Sequence, residues 1–526
     1  MAGFVPCDGA TGGVSGVPVV NFPERPPRNP YTGRLLRCPA RSAMRFVVKV
    51  SPEIIIKSAP VRRRLIRQLR RNLRTLIAPI TAGVTLAGDW DRLELSGAGV
   101  TATDVHRIAD LLARTPGISS FAQVEMYPLG DFDDMAEHTW RCHGAALTGR
   151  RFVVRVKRTG RHAFTSPQVE REVGGRLLAR AEGASVSLDH PEITVRLEIV
   201  ADQLYVIESR QAGIGGFPLG EQPPVLALMS GGFDSTVASY LLLRRGLRTH
   251  FCFFNLGGRA HALGVKEVAH FLWEKYSASH SVKFISVPFE GVMAEILEQV
   301  DDSQMGVVLK RMMLRAATAV ARAWGVDALV TGESIAQVSS QTLPNLAVID
   351  AVTDMLVLRP LLAMDKQDII GIARAIGTEP FAASMPEYCG VISVKPTTHA
   401  RRERVEHAET RFDFDVLERA IAARTEEDIE SVMEGAVGQI AVETFQAPQP
   451  GVTILDVRHP DQSADRPLRA GSVPVEVVPF YRLQQFFAQV SPETPYLLYC
   501  DKGVMSRLHA ELLVERGFSR VAVYRP

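Results

Sequence analysis

From Met44 onward, short apolar runs alternate with amphipathic stretches, and the order in which they follow one another changes along the chain. Up to about Arg210, β-rich runs (Arg45–Val50, Arg151–Lys157, Thr194–Val200, Leu204–Glu208) are interspersed with stretches of helical apolar spacing (Val61–Ile77, Ser166–Glu182), which predicts an α+β front. From Val225 to about Pro396 the order becomes strand, Gly-rich turn, helix, strand, helix. Its strands are apolar throughout, so a doubly wound parallel sheet covered on both faces is expected. Residues 399 to 444 read as helical and charged. Ala447-Pro448-Gln449-Pro450-Gly451 reads as a stiff linker, and a small α/β module of ~75 residues follows. Residues 1–43, rich in Gly, Pro and Arg, show no period and read as a disordered extension, which leaves open whether Met44 is the native start.

Composition narrows the class. A chain of 526 residues is too long for one core and predicts several domains, and 46 % hydrophobic with 22 % charged residues is a globular balance. No run approaches the ~18 apolar residues of a membrane span, and the start lacks a signal peptide's apolar core. Six cysteines (Cys7, Cys38, Cys142, Cys252, Cys389, Cys500) form no CxxC pair, which argues against a disulfide framework or a structural zinc site. A cytoplasmic location with no membrane partner and no protein-held metal is expected.

The net charge of +2 hides an uneven distribution. Between Ile54 and Arg74 stand Lys57, Arg62, Arg63, Arg64, Arg67, Arg70, Arg71 and Arg74 without one acid, on a helix whose apolar seam is Val61, Leu65, Leu69, Leu73 and Leu76. A second cluster comprises Arg150, Arg151, Arg155, Lys157, Arg158 and Arg161. Either alone could be a solvated face. Two in one α+β region favour a polyphosphate partner, and the scarcity of interleaved aromatics favours folded RNA over single strands.

Val225–Met229 is a buried-strand pattern that runs into Ser230-Gly231-Gly232-Phe233-Asp234-Ser235 and then a helix from Thr236 to Arg245, closed by Gly246. The two glycines let backbone approach an anion, and Ser230, Ser235 and Thr236 add hydroxyls beside the helix N-terminus. No Lys follows the glycines, so the loop is not a Walker A. The hexapeptide resembles that of the PP-loop ATP pyrophosphatases, and Asp234, at its mouth, suits a role through magnesium or in orienting the reacting groups. Near the C-terminus, Tyr496–Tyr499 reads as a strand that delivers Cys500 into a short loop before a helix from Ser506 to Arg516, where N–H dipoles would stabilise its thiolate. That spacing resembles a rhodanese loop, as does Leu455-Asp456-Val457-Arg458. Cys389 alone reads as structural, and the other four cysteines have no activating neighbour.

In this order the parts resemble the tRNA 4-thiouridine synthetase (tRNA sulfurtransferase) family, in its long form with a rhodanese tail. The likeness runs from about Met44 to Pro526 through Ser51–Ser58, Gly213–Gly220, the nucleotide loop, Asp302–Gly306 with Lys310–Met313, Thr331-Gly-Glu333, Gln337–Thr342, Met385–Gly390 and Cys500–Arg507. It implies a ferredoxin-like domain over 44–105, a THUMP RNA-binding domain over 106–210 and a PP-loop domain over 211–396. A helical connector over 397–448 and a rhodanese-like sulfur carrier over 449–526 would follow. It also implies nucleotide contacts at Leu228, Met229, Ser230, Gly231, Gly232, Asp234, Ser235, Lys310, Gly332 and Gln341, with Asp234 and Lys366 needed for activation. Cofactors would be ATP and Mg2+. ATP would adenylate the C4 oxygen of tRNA uridine 8, and a Cys500 persulfide, charged by a cysteine desulfurase, would supply sulfur. Cys389 would resolve it as a disulfide with Cys500 for a reductant such as thioredoxin to open. The RNA would lie on Lys57, Arg62, Arg63, Arg67, Arg70, Arg71, Arg74, Arg155, Lys157, Arg158 and Arg161. A second role with a thiamine sulfur-carrier protein and a homodimer are both left open. Two other readings compete: a PP-loop enzyme acting on a small molecule or protein carboxylate, its tail supplying sulfur to a carrier protein only, and a non-catalytic RNA-binding protein whose ATP site is a relic.

Overall fold

A computed structural model describes residues 44–88, 92–256, 258–385, 395–434, 442–448, 451–458, 460–501 and 503–526. The 1–43 extension and Cys389 lie outside the described residues, as does the pairing expected of Cys389. The described chain forms two compact units, residues 128–204 and residues 44–127 with 205–526.

In the larger unit the front begins with β1 (Met44–Val50), β2 (Thr85–Ala87), β3 (Arg92–Gly97) and β4 (Ile118–Pro128), antiparallel in the order β2-β3-β1-β4. The helix Ala59–Ile77 lays Leu65, Ile66, Leu69, Leu73 and Ile77 into the core with Phe46 and Val48, along the apolar seam that its spacing predicts. Its ends differ slightly from that seam: Val61 and Leu76 are only half-buried.

In residues 128–204, β5 (Arg151–Thr159) pairs parallel with β6 (Ser185–Val186) and β7 (Ile193–Val200). Asp131 starts the helix Phe132–Leu147 with a capping box, and Thr165 caps the helix Ser166–Arg180. Phe152, Val153 and Val154 of β5 are buried, whereas Arg155, Lys157 and Thr159 alternate outwards.

β8 (Gln203–Gly215) lies beside β4, and from there the larger unit builds its parallel-sheet half. β9 (Gln222–Leu228), β10 (Leu247–Asn255), β11 (Lys283–Pro288), β12 (Ala328–Val330) and β13 (Leu356–Leu358) are parallel in the order β13-β12-β9-β10-β11. Alternate residues point to opposite faces: Leu226, Cys252, Ile285 and Leu329 enter one core, Ala227, Phe251, Phe284 and Ala328 the other. Both faces are covered, as uniformly apolar strands require. Chain progression reverses between β9 and β12, and an open sheet of this kind has its crevice outside the carboxyl ends at that reversal. Residues 397–448, expected as a helical connector, are helical at Arg402–Glu409 and Phe414–Ala422. They also add β14 (Thr425–Asp428) antiparallel to β11, and Val405, Phe412 and Leu417 complete the second core. Arg311, almost fully buried, forks onto Glu409 at 2.6 and 2.8 Å and so ties this segment to the helix Met305–Ala323.

The tail is a parallel sheet of β15 (Thr444–Phe445), β16 (Thr453–Asp456), β17 (Val475–Val477), β18 (Tyr496–Tyr499) and β19 (Val521–Tyr524), ordered β15-β19-β18-β16-β17. It is seated on the preceding parallel-sheet half, and Gln449 and Pro450 of the expected linker lie outside the described residues. His509 Nε2 lies 2.6 Å from Glu267, Arg259 reaches Glu511 at 2.9 Å and Glu515 at 2.6 Å, and Phe480 packs 5.0 Å from Phe381. Among the described residues no helix is long and apolar enough to cross a membrane.

Candidate active site

The nucleotide loop stands at the reversal point. β9 ends at Leu228, and the N–H of Met229 donates to the Cys252 carbonyl at 2.8 Å before the chain leaves the sheet. Met229's side chain is buried, so the loop can offer a ligand only its backbone there. Gly231 has φ +82°, and a Cβ on it would lie 2.9 Å from the Met385 methyl, so this turn accepts glycine alone. The helix starts at Phe233, earlier than the expected Thr236, and its first N–H groups have no acceptor within the helix. The hydroxyls behave differently from expectation. Ser235 Oγ accepts from the Ser230 N–H at 3.1 Å and meets Ser230 Oγ at 3.1 Å, so it braces the loop from within. Thr236 is fully buried beneath it. Only Ser230 of the three is exposed.

Gly332 faces the loop across the crevice. A Cβ there would fall 2.5 Å from the Asp234 carbonyl carbon and 2.6 Å from the Ser235 nitrogen, so glycine is what lets the segment after β12 lie against the loop. Asp234 and Lys366, far apart in sequence, are brought together: Lys366 Nζ donates to the Asp234 carboxylate at 2.8 and 3.0 Å, and Gln337 Nε2 donates to Oδ2 at 2.7 Å. Lys310 reaches Glu333 at 2.8 Å. Glu333 also accepts from Arg359 at 2.7 Å and from the Thr331 hydroxyl at 3.0 Å, while Arg359 forks onto Asp350. Burial pushes the Glu333 carboxyl up, and the Lys310 and Arg359 cations outweigh it, bringing it down to about 2. Gln341 is buried, and its Oε1 has no partner among the described residues, so an acceptor stands ready for a ligand's donor.

Gln337, Glu333 and Arg359 had no role assigned from sequence. The first and second stand in the motifs Gln337–Thr342 and Thr331-Gly-Glu333, which was the available signal. Arg359 carried none, because its partners lie 9 and 26 residues away.

In the tail, β18 delivers Cys500 to the loop, where its sulfur accepts from the Ser506 N–H and lies beside the Ser506 hydroxyl, both at 3.4 Å. The helix starts at Val504, two residues before the expected Ser506, after Gly503 turns the chain at φ +73°. Ser506 is therefore in the first turn, where N–H groups lack helical acceptors. Cys500 as a residue is 6 % exposed. Arg458 donates to Asp456 at 2.9 and 2.6 Å and to Asp501 at 2.8 Å, which pins the Leu455–Arg458 turn against the cysteine loop. Those carboxylates hold Arg458 above its usual range. Cys252, by contrast, is fully buried and pushed up to about 12 by burial, as an inert core thiol should be.

The basic residues divide. Lys57, Arg63, Arg67, Arg71 and Arg74 are exposed on the front helix and the turn before it. Arg62, expected on the same face, is buried: it donates to the Ile55 and Lys57 carbonyls at 2.9 and 3.4 Å and closes the turn that starts the helix. It serves the fold. Arg70 is half-buried with a bond to the Leu86 carbonyl at 3.0 Å, and Arg64 pairs with Glu221 at 2.7 Å, so the cluster is not wholly uncompensated. In residues 128–204, Arg155, Lys157 and Arg161 are exposed and Arg158 leans on His162 at 3.3 Å.

Comparison with known proteins matches three profiles to the chain. The profile described as "Thiamine biosynthesis protein (ThiI)" matches residues 220–414, that of the THUMP domain 130–207, and that of the rhodanese-like domain 442–525. A tRNA sulfurtransferase of Pseudomonas fluorescens is 54% identical over 483 residues, covering 92% of this chain and 100% of the relative, and one of Azotobacter vinelandii matches at the same identity and coverage. Among solved structures, a 4-thiouridine synthetase in complex with RNA and bound ATP aligns with a TM-score of 0.64 at 25% identity, over 73% of this chain and 99% of that one. With relatives 54% identical over nearly its whole length, the chain belongs to the tRNA sulfurtransferase family and is a sulfurtransferase enzyme.

Proposed function

We propose that this chain converts uridine 8 of tRNA to 4-thiouridine, with ATP consumed to AMP and pyrophosphate and with sulfur delivered from Cys500. The observation that carries the reading is the Asp234–Lys366 pair at the mouth of a glycine loop, in the same compact unit as a strand-end thiol held on a helix N-terminus. As co-substrate, ATP makes the C4 oxygen a leaving group by turning it into AMP. Gly231, Gly232 and the first N–H groups of the helix hold phosphate, the backbone of Leu228 and Met229 flanks it, and Gln341 offers its unpartnered oxygen to a base donor. Lys310, fixed by Glu333, offsets phosphate charge.

A magnesium ion would be held mainly by the ATP phosphates, with Asp234 as a carboxylate at the mouth of the glycine loop. It would neutralise charge on the phosphates.

A cysteine desulfurase charges Cys500 as the persulfide. The terminal sulfur forms the new C4–S bond as the C4–O bond to AMP breaks. Cleaving the S–S bond takes two electrons, supplied by the Cys389 thiol, which closes a disulfide with Cys500 that a thioredoxin-class reductant reopens. The exposed Lys57, Arg63, Arg67, Arg71 and Arg74, with Arg155, Lys157 and Arg161, bind the tRNA backbone. The same persulfide serves a thiamine sulfur-carrier protein, a role the ThiI profile supports.

The test is 4-thiouridine at position 8 of an unmodified tRNA transcript, made with MgATP, cysteine, a desulfurase and a reductant. Product from the wild type that vanishes in Cys500→Ser is expected. No product from a wild type that binds tRNA and carries a persulfide on Cys500 would move the activity to a carrier protein.

A further inference from the structure

The segment after β12 contains a non-glycine residue in the left-handed region. Ala336 has φ +60°, a conformation that costs an L residue and that alanine, lacking the short polar side chain of Asn or Asp, does nothing to offset. The surroundings impose it: Ala336 N–H donates to the Gln341 carbonyl at 3.0 Å, Ile335 N–H to the Leu362 carbonyl at 3.0 Å, and Gln337 N–H to the Ser334 carbonyl at 3.3 Å. Strain held by several bonds clusters at functional sites. Here the residue that follows the strained one is Gln337, and the turn aims its amide at Asp234 Oδ2, 2.7 Å away.

The partner of Asp234 is equally out of place by local rules. Lys366 is the first residue of the helix Lys366–Ile376, where the positive end of the macrodipole disfavours a cation, so helix stability is no reason for it to be there. Its ammonium touches both oxygens of Asp234 and lies 5.5 Å from the Phe233 ring centroid. One point charge against two oxygens leaves the carboxylate free to rotate about its own axis. A second donor from the side removes that freedom.

We infer that Gln337 is a positioning residue: held by the strained turn at Ala336, its amide locks the plane of the Asp234 carboxylate against Lys366 and sets the pair's orientation for activation of the substrate oxygen. The same turn bonds through Ala336 to Gln341, so the orientation of Asp234 and the seat of the nucleotide are set by one piece of backbone. This rests on the proposed activation chemistry and adds to it the part that aims the pair.

The experiment is steady-state pyrophosphate release by the full chain with MgATP, with and without an unmodified tRNA transcript, for wild type, Gln337→Ala, Gln337→Glu and Ala336→Val, each with a melting curve. Gln337→Ala should lower kcat roughly tenfold while KM for ATP stays within about twofold, the split expected for an interaction used in the activated state. Gln337→Glu keeps the size of the side chain but sets a carboxylate against Asp234, and should fall further than the alanine variant. Ala336→Val should follow Gln337→Ala, because a β-branched residue cannot adopt this turn. A wild-type kcat in Gln337→Ala, or a Gln337→Glu variant as active as wild type, overturns the inference and leaves the functional reading standing. Absence of tRNA-dependent pyrophosphate release in the wild type removes the reading itself, and the inference with it.

Discussion

The two loops of the larger unit are built on one plan and equipped for opposite tasks. In each, a parallel strand ends, a short loop with a left-handed glycine follows (Gly231, Gly503), and a helix N-terminus faces what the loop holds. At the carboxyl end of β9 the loop is surrounded by paired charges drawn from four segments: Asp234 with Lys366, and Lys310 with Glu333. At the carboxyl end of β18 the ions are turned to scaffolding, with Arg458 on Asp456 and Asp501, and what remains at the centre is a buried cysteine whose sulfur accepts from one N–H. The difference teaches that a strand-loop-helix turn supplies only a dipole and a shape. What its neighbours do with charge decides whether it activates a leaving group or carries a nucleophile.

The sharpest way to break that contrast is to disable one loop and read the other. Cys500→Ser should reduce 4-thiouridine to background, measured by mercury-gel shift or nucleoside chromatography, with tRNA binding unchanged. Asp234→Asn and Lys366→Met should each lower pyrophosphate release about 10²-fold, the scale for loss of one charge-orienting group, while persulfide loading of Cys500 proceeds normally. Gly332→Ala forces a Cβ to within 2.5 Å of the Asp234 backbone. It should cost about 1–3 kcal/mol in chemical denaturation and raise KM for ATP without altering Cys500 loading.

The charge network gives a pH signature. Glu333 sits at about 2 when folded against 4.5 ordinarily, so its contribution is fully present above 4.5 and is lost as pH falls towards 2. In Glu333→Gln the melting temperature should be lower at neutral pH and should fall less steeply across that window than in the wild type. Smallest of all, a triple Arg63, Arg67 and Arg74 to Gln variant should leave both loops working and reduce the slope of log affinity for tRNA against log salt by about 0.7–0.9 for each phosphate that is no longer neutralised. Arg62→Gln should lower stability and leave that slope unchanged.

Fold and site were legible to different depths. Periodicity revealed the front helix, β5, β9 and the helix after the glycine loop, because each is long and its pattern is set by one local rule. It did not reveal that residues 425–428 form an edge strand on β11, since Thr-Glu-Glu-Asp has no apolar pattern and pairs only because β11 offers an edge. The same holds within the site. Asp234 and Lys366 were separately legible through their motifs, but their contact is made by two helix starts 132 residues apart. Arg62 looked identical to its neighbours because sequence shows the charge and not the carbonyls of Ile55 and Lys57 that bury it. Gln337 depends on a positive φ at an alanine, a residue type that gives no sign of it.

The most direct measurement is tRNA-dependent pyrophosphate release in Cys500→Ser and Asp234→Asn, side by side with the wild type. With activation assigned to the loop after β9 and sulfur delivery to the loop after β18, Cys500→Ser should release pyrophosphate at near the wild-type rate and Asp234→Asn should not. Loss of release in Cys500→Ser, or its survival in Asp234→Asn, would contradict that division of labour.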